Sequence, residues 1–108
     1  MSALVKVCKV SDVPPGEMKP FTLEGFEEPV AIFNLEGEIY ATSNVCTHAY
    51  AQLAEGWFEP EDCTIECPLH GAKFNIETGA VLALPAYKPV KTYDVRVEDG
   101  ALLVDLPS

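Results

Sequence analysis

The chain of 108 residues has the size of one globular domain, with 48% hydrophobic and 22% charged residues. Seven basic and seventeen acidic residues give a net charge of −10, which disfavours nucleic acid and anionic membranes as partners. No segment reaches the roughly 18–20 apolar residues of a membrane helix, and we find no targeting signal. Four cysteines without an export signal predict a reducing compartment, the cytoplasm. Two of them, Cys8 and Cys63, are expected to be buried or half-buried thiols.

Short runs rich in β-branched and aromatic residues, interrupted by Gly, Pro, Asn and Asp, predict an all-β protein of short antiparallel strands. We place the strands at Leu4–Val10, Met18–Leu23, Val30–Asn34, Glu38–Ser43, Thr64–Cys67, Lys73–Asn75, Val81–Leu82, Lys91–Val97 and Leu102–Leu106. Gly37, Gly79 and Gly100 lie between such runs and predict hairpin turns, because glycine can take positive φ. Val45–Asp62 and Leu84–Pro89 fit no strand pattern and are predicted to be loops.

Two short motifs contain the only two histidines of the chain, each beside a cysteine: Cys46-Thr47-His48 and Cys67-Pro68-Leu69-His70. Thiolate and imidazole are typical metal ligands, so the four side chains predict a metal site. Structural zinc sites usually pair like ligands, with two to four residues between cysteines and three to five between histidines. When a single residue separates a cysteine from a histidine, the two side chains can instead point in different directions. They can then reach different atoms of an extended cofactor, such as a two-iron cluster.

With these motifs the chain resembles the Rieske proteins, whose pattern is Cys-x-His, a spacer, and Cys-x-x-His. The resemblance extends over nearly the whole chain, including the Glu36–Ala41 hairpin and the Lys91–Val97 strand. It implies the Rieske iron-sulfur fold, an antiparallel β-sandwich with a small cluster-binding subdomain formed by loops. We expect a single domain over residues 1–108, with the cluster-binding loops at about 44–85.

The resemblance also implies one Rieske-type [2Fe-2S] cluster. Cys46 and Cys67 would bind one iron as thiolates, His48 and His70 would bind the other as imidazoles, and Pro85 would help to cover the cluster. With only two thiolates the oxidised cluster is formally neutral and accepts an electron easily. Rieske centres therefore span about −150 to +300 mV, against about −400 mV for plant-type clusters ligated by four cysteines.

The family members that the chain most resembles are ferredoxins of bacterial aromatic-ring-hydroxylating dioxygenase systems, such as those acting on biphenyl and naphthalene. The resemblance implies a soluble one-electron carrier between an NAD(P)H-dependent flavoprotein ferredoxin reductase and a terminal Rieske oxygenase. The chain has no Gly-rich nucleotide-binding motif and too few ligands for a second metal, so we expect no enzymatic activity of its own. Two alternatives stay open: the Rieske-like small subunit of an assimilatory nitrite reductase, and a zinc-stapled interaction module.

We further expect a low-potential centre. High-potential relatives in respiratory complexes carry an additional cysteine in each ligand loop, where this chain has Ala51 and Leu69. They also place a serine and a tyrosine hydroxyl, each a hydrogen-bond donor to sulfur, where this chain has Ala72 and Phe74. Such donors stabilise the reduced cluster more than the oxidised one, so their absence predicts a potential around −150 mV.

The stretch from Phe21 to Ala72 contains no Lys or Arg. It is interpreted either as a solubilising acidic surface or as a field that steers the protein to basic patches on its partners. Trp57 and Phe58 precede the charged residues Glu59–Asp62. We expect the two aromatic rings to pack beneath the long loop, with docking to a partner as the alternative.

Overall fold

The computed structural model describes residues 3–23, 25–26, 28–45, 52–68, 71–83 and 89–106. Its strands are β1 (Ala3–Lys9), β2 (Met18–Phe21), β3 (Val30–Leu35), β4 (Glu38–Ser43), β5 (Trp57–Glu59), β6 (Thr64–Glu66), β7 (Lys73–Asn75), β8 (Val81–Ala83), β9 (Thr92–Tyr93), β10 (Val95–Glu98) and β11 (Ala101–Leu106). Single 3-10 turns cover Val10–Asp12, Leu53–Glu55 and Pro60–Asp62, and the described residues contain no α-helix. The prediction of an all-β protein is confirmed.

The strands form three antiparallel sheets with the orders β1-β11-β10, β2-β3-β4-β9 and β5-β6-β7-β8. Two-residue turns join β3 to β4 and β10 to β11, and both residues of each turn have positive φ: 55° at Glu36, 106° at Gly37, 50° at Asp99 and 77° at Gly100. This is the turn geometry that matches the twist of a hairpin. Gly79 has a φ of 78° between β7 and β8, so all three predicted hairpin turns are confirmed.

β3 is buried on both of its faces, which makes it the common wall of two cores. Val30 and Ile32 face the first, which we call the body core, and Ala31 and Phe33 face the second, the loop-side core. The body core consists of Val13, Val30, Ile32, Ala41, Leu102 and Val104. The loop-side core consists of Ala31, Phe33, Leu53, Ile65, Cys67, Ala72, Phe74, Ile76 and Val90.

The fold departs from the predicted elements in two places. The predicted loop Val45–Asp62 contains β5, which pairs with β6 and adds an edge strand to the sheet of β6, β7 and β8. The region predicted to consist of cluster-binding loops therefore also contains a four-stranded sheet, β5-β6-β7-β8. The predicted strand Lys91–Val97 is interrupted at Asp94, because β9 pairs with β4 whereas β10 pairs with β11 in a different sheet.

Trp57 and Phe58 have opposite environments because successive side chains of a strand point to opposite faces. Phe58 is half-buried, and its ring lies edge-on to Phe33 with the centroids 5.3 Å apart. The expected packing is thus confirmed for Phe58. It is wrong for Trp57, whose side chain is 60% exposed on the outer face of β5.

Candidate metal centre

The second ligand motif begins at the closed end of the β6–β7 hairpin. Glu66 pairs with Lys73, and the backbone N–H of Cys67 then donates a hydrogen bond of 2.7 Å to the carbonyl oxygen of Ala72. Gly71, with a φ of 73°, completes the turn back into β7. Cys67 is fully buried in the loop-side core. The hairpin therefore fixes the position of Cys67 through the backbone.

The first ligand motif lies in a segment whose two ends are joined by Asn44. The N–H groups of Leu53 and Ala54 donate to the backbone oxygen and to Oδ1 of Asn44, at 2.7 and 2.8 Å. Asn44 Nδ2 donates to Oε1 of Gln52 at 3.3 Å, and Val45 and Gln52 form an isolated antiparallel bridge. Asn44 is 1% exposed and its side-chain hydrogen bonds are partly buried, so their loss is costly. They close the segment 46–51 at its base.

Gly56 brings the first segment against the second motif. A Cβ atom at this position would lie within 3.0 Å of the backbone of Glu66 and 3.1 Å from Cδ of Pro68. The φ of Gly56 is −90°, which any residue can adopt, so the close approach of backbone explains the glycine. The chain that leaves the first motif is thus in contact with the residues on both sides of Cys67.

The predicted third loop also starts and ends next to the two motifs. Ala83, at its start, pairs with Lys73 just after the second motif. At its end, Val90 N–H donates to the oxygen of Gly79 at 2.9 Å, and the oxygen of Lys91 accepts a 2.9 Å bond from Ser43 N–H at the end of β4. The described residues that flank the three predicted loops are therefore connected to one another by backbone hydrogen bonds and strand pairing.

Of the predicted ligands, Cys67 lies in the described part of the chain, whereas Cys46, His48 and His70 lie outside the described residues, as does Pro85. Among the described residues no three His, Cys, Asp or Glu side chains form a group that could hold a metal. The two thiols and two imidazoles fit a Rieske cluster by their chemistry, since iron-sulfur clusters bind thiolates and Rieske centres replace two of these by imidazoles.

Side chains around Cys67 are apolar inside and charged outside. Ala72 and Phe74 are fully buried and offer no hydroxyl. On the outer face Lys73 Nζ lies 4.0 Å from Oε1 of Glu66, and both side chains are about one third exposed. Such an exposed ion pair contributes little to stability, so apolar packing and the hairpin hydrogen bonds position Cys67.

The sequence reasoning missed the contacts that Asn44 and Gly56 make beside the two ligand motifs. Asn44 lies between the predicted strand Glu38–Ser43 and the predicted loop that begins at Val45. At such a position an asparagine side chain often forms hydrogen bonds to nearby backbone groups. That position was a usable signal. Gly56 gave none, because its role depends on the approach of a segment that is distant in sequence.

The two remaining cysteines are both half-buried, as predicted. Burial raises the pKa of the Cys8 thiol, the charge of Asp12 raises it further, and Lys19 partly opposes them. Cys63 packs against the loop-side core at a left-handed backbone position, with a φ of 57°.

The Rieske [2Fe-2S] domain family matches residues 3–94. The 3-phenylpropionate/cinnamic acid dioxygenase ferredoxin subunit of Shigella flexneri serotype 5b is 46% identical over 104 residues, 95% of this chain and 93% of the relative. The structure of Sphingomonas yanoikuyae B1 ferredoxin is 39% identical with a TM-score of 0.89, covering 97% of this chain and 100% of that chain. A chain from the complex of oxygenase and ferredoxin in carbazole 1,9a-dioxygenase is 36% identical with a TM-score of 0.86. The match covers 94% of this chain and 91% of that chain.

This chain belongs to the Rieske [2Fe-2S] domain family. Since the relatives are ferredoxins and ferredoxin subunits, it is an electron carrier with one Rieske-type cluster rather than an enzyme in its own right. This confirms the predicted family and cofactor, and it contradicts the alternative of a zinc-stapled module.

The nitrite reductase alternative has support at the level of the fold alone. A small subunit of an NADH-dependent nitrite reductase from Mycobacterium tuberculosis has a TM-score of 0.83 over 100% of this chain and 98% of its own, but the identity is 21%. In the described part of the chain, no helix is long and apolar enough to cross a membrane.

Proposed function

We propose that this chain is the ferredoxin of an aromatic-ring-hydroxylating dioxygenase system. It accepts single electrons from an NAD(P)H-dependent flavoprotein ferredoxin reductase and passes them to the terminal Rieske oxygenase. The observation that carries this proposal is the 46% identity, over 95% of the chain, to the ferredoxin subunit of a dioxygenase. A related ferredoxin structure, from a complex with an oxygenase, supports the acceptor.

We infer that Cys46 and Cys67 bind one iron of the cluster and that His48 and His70 bind the other. When bound, the cluster supplies a one-electron redox couple. The position of Cys67 at the end of a hairpin, buried away from water, supports its role as a thiolate ligand. The hydrogen bonds of Asn44 at the base of segment 46–51 support a defined position for the first motif.

Two further features of the proposal concern the extent of the domain and the compartment. We propose one Rieske domain over residues 1–108, because β11 completes the sheet that β1 begins, although the family match ends at residue 94. We propose that the protein works in the cytoplasm. The free thiols Cys8 and Cys63 support this, since thiols persist best in a reducing compartment.

The test of the function is reconstitution with a purified reductase and oxygenase. NADH-dependent formation of the hydroxylated product should require this chain, whereas Cys67→Ser should not replace it. A reductase and an oxygenase that turn over at the same rate with and without the ferredoxin would contradict the proposal. Normal support of turnover by Cys67→Ser would contradict the ligand assignment.

The histidine ligands are tested separately by electron paramagnetic resonance of the reduced protein. His48→Cys and His70→Cys add a negative charge to the cluster and should move the spectrum towards that of a cluster ligated by four cysteines, with a lower potential. An unchanged low average g value in both variants would exclude these histidines as ligands.

A further inference from the structure

The exposed indole of Trp57 lies beside the second ligand motif. Trp57 pairs with Glu66, the residue that precedes Cys67. Because paired Cα atoms lie about 4.5–5.5 Å apart and successive Cα atoms 3.8 Å apart, the backbone of Trp57 lies within about 10 Å of Cys67. A protein that covers Trp57 therefore lies close to the backbone of Cys67, one of the predicted ligands.

Trp57 also differs from the other exposed apolar residues of the described chain. Leu4, Leu82 and Val97 are 43%, 51% and 51% exposed, which is common for single aliphatic side chains on a surface. Tryptophan has the largest apolar surface of any side chain and is enriched among the residues that dominate protein–protein affinity. No described ring stacks on Trp57, although two other aromatic pairs form within the described residues.

The surroundings of Trp57 carry the charge that a partner must complement. Glu55 and Glu59 are exposed on either side of it along the chain, and Glu61 and Asp62 follow as exposed residues. The nearest basic residue along this sheet, Lys73, is already paired with Glu66. An apolar ring within an acidic field fits an apolar pocket whose rim carries Arg or Lys side chains. A net charge of −10 disfavours an anionic membrane as the occupant.

We propose that Trp57 is the anchor of the surface that docks the terminal oxygenase, with the indole in an apolar pocket and Glu55 and Glu59 opposite basic side chains on its rim. The inference rests on the proposed function and names the partner of the same site. The oxygenase is chosen over the reductase because a similar ferredoxin chain, 36% identical, comes from a complex with an oxygenase.

The proposal is tested by stopped-flow oxidation of the reduced holoprotein by the oxygenase. Trp57→Ala should lower the second-order rate constant at least about tenfold, as loss of an interface hot spot does. Trp57→Phe should restore most of the rate, and Val97→Ala, on a sheet that contributes nothing to the ligand segments, should leave it unchanged. All three variants should keep the wild-type rate of reduction by the reductase. They should also keep the wild-type reduction potential and electron paramagnetic resonance spectrum.

Charge is tested in the same assay. Raising the salt concentration should slow the wild-type reaction, because exposed charges are screened beyond about 10 Å at 0.1 M salt. The double variant Glu55→Gln with Glu59→Gln should show a flatter dependence on salt. Wild-type rates that do not change with ionic strength would overturn the proposed role of Glu55 and Glu59 in docking.

A second measurement uses the unaltered fold. Since Trp57 is the only tryptophan, the holoprotein labelled with 5-fluorotryptophan gives one fluorine resonance. Unlabelled oxygenase should shift or broaden it, and the reductase should not. A resonance that the oxygenase leaves unchanged, or Trp57→Ala rates equal to wild type, would overturn the proposal, as would equal losses towards both partners. Failure of the wild-type protein to reduce the oxygenase would instead overturn the proposed function.

Discussion

β3 separates two regions of the molecule that are built in different ways. On the body side, β1 and β11 are seven and six residues long and pair along nearly their whole length. On the loop side, β5, β6, β7 and β8 are three residues each, and the predicted ligands lie in the segments before β5 and between β6 and β7. A three-residue strand makes few ladder hydrogen bonds, so we expect the loop side to depend more on hydrogen bonds from loops and on the bound cluster.

Two buried asparagines, Asn34 and Asn44, show the same difference between the body side and the loop side. Asn34 donates from Nδ2 to the oxygen of Val13 and accepts from Gly37 N–H, both at 2.8 Å, and so connects turns of the body. Asn44 makes two side-chain hydrogen bonds that close the first ligand segment. The same buried amide thus stabilises the scaffold in one region and the site in the other.

The largest effect should come from removing a ligand. Cys67→Ser should abolish assembly of the cluster, and amide protons of β5, β6, β7 and β8 should then exchange faster than those of β1 and β11, because only the loop side loses its metal. Iron content and hydrogen exchange with mass spectrometry measure both. Cys8→Ser, on the body side, should keep a full iron complement. A full complement in Cys67→Ser, or equal loss of protection in both regions, would contradict the comparison.

The same division explains how far the sequence reasoning reached. The β3–β4 hairpin could be predicted to within one residue, with β3 ending at Leu35 rather than Asn34, because a short turn joins two runs with clear strand propensity. β5 could not, since three residues show no measurable alternation, and its pairing with β6 depends on the packing of Phe58 on Phe33. The ligand motifs were visible because their chemistry is local. The close approach at Gly56 was not, because it joins segments distant in sequence.

The next largest effect is expected at Gly56. Gly56→Ala should lower the free energy of unfolding by about 3 kcal/mol, because the methyl group has no space against the backbone of Glu66. It should also speed the loss of cluster absorbance in urea, since the two ligand segments move apart. The control is Gly16→Ala, on an open turn with a φ of 83°, which should cost about 1 kcal/mol through backbone strain alone. Equal destabilisation of the two variants would argue against the contact.

The asparagine pair gives a smaller and sharper test. Asn34→Ala and Asn44→Ala should each lower the free energy of unfolding by about 2 kcal/mol. The first removes the side-chain partner of the Val13 oxygen and the Gly37 N–H, and the second removes that of the Ala54 N–H. Only Asn44→Ala should increase the rate at which the cluster is lost to a chelator. The rate is followed by visible absorbance at fixed temperature. If Asn34→Ala loses the cluster as fast as Asn44→Ala, the rate of cluster loss depends on general instability rather than on the hydrogen bonds that close the first ligand segment.

The predicted potential tests the apolar surroundings of Cys67. The wild-type protein should have a potential near −150 mV, and a value above about +100 mV in protein-film voltammetry would contradict a low-potential centre. Ala72→Ser and Phe74→Tyr should each raise it by tens of millivolts, since a hydroxyl that reaches sulfur stabilises the more negative, reduced cluster. Ala80→Ser, exposed on the same hairpin, should leave the potential unchanged.

The smallest effect concerns Tyr40 on β4, whose hydroxyl donates a 2.9 Å hydrogen bond to Oε2 of Glu38. This bond, followed by partial burial and by the charges of Glu38 and Glu77, raises the pKa of Tyr40 to about 12. Because the pKa in the folded protein exceeds the unfolded value of about 10, the bond contributes its full stability below about pH 10. That contribution is lost as the pH rises through the folded pKa, and it is small because solvent screens the exposed pair.

Spectrophotometric titration of the phenolate band, with Tyr40→Phe subtracted to assign the signal among four tyrosines, measures this pKa. Glu38→Gln removes the charged acceptor and should lower the pKa of Tyr40 towards 10, since a neutral amide favours the neutral phenol less. Both residues belong to the β3–β4 hairpin, so neither substitution should change the potential or the iron content. A pKa that stays near 12 in Glu38→Gln would show that burial, rather than the hydrogen bond, sets it.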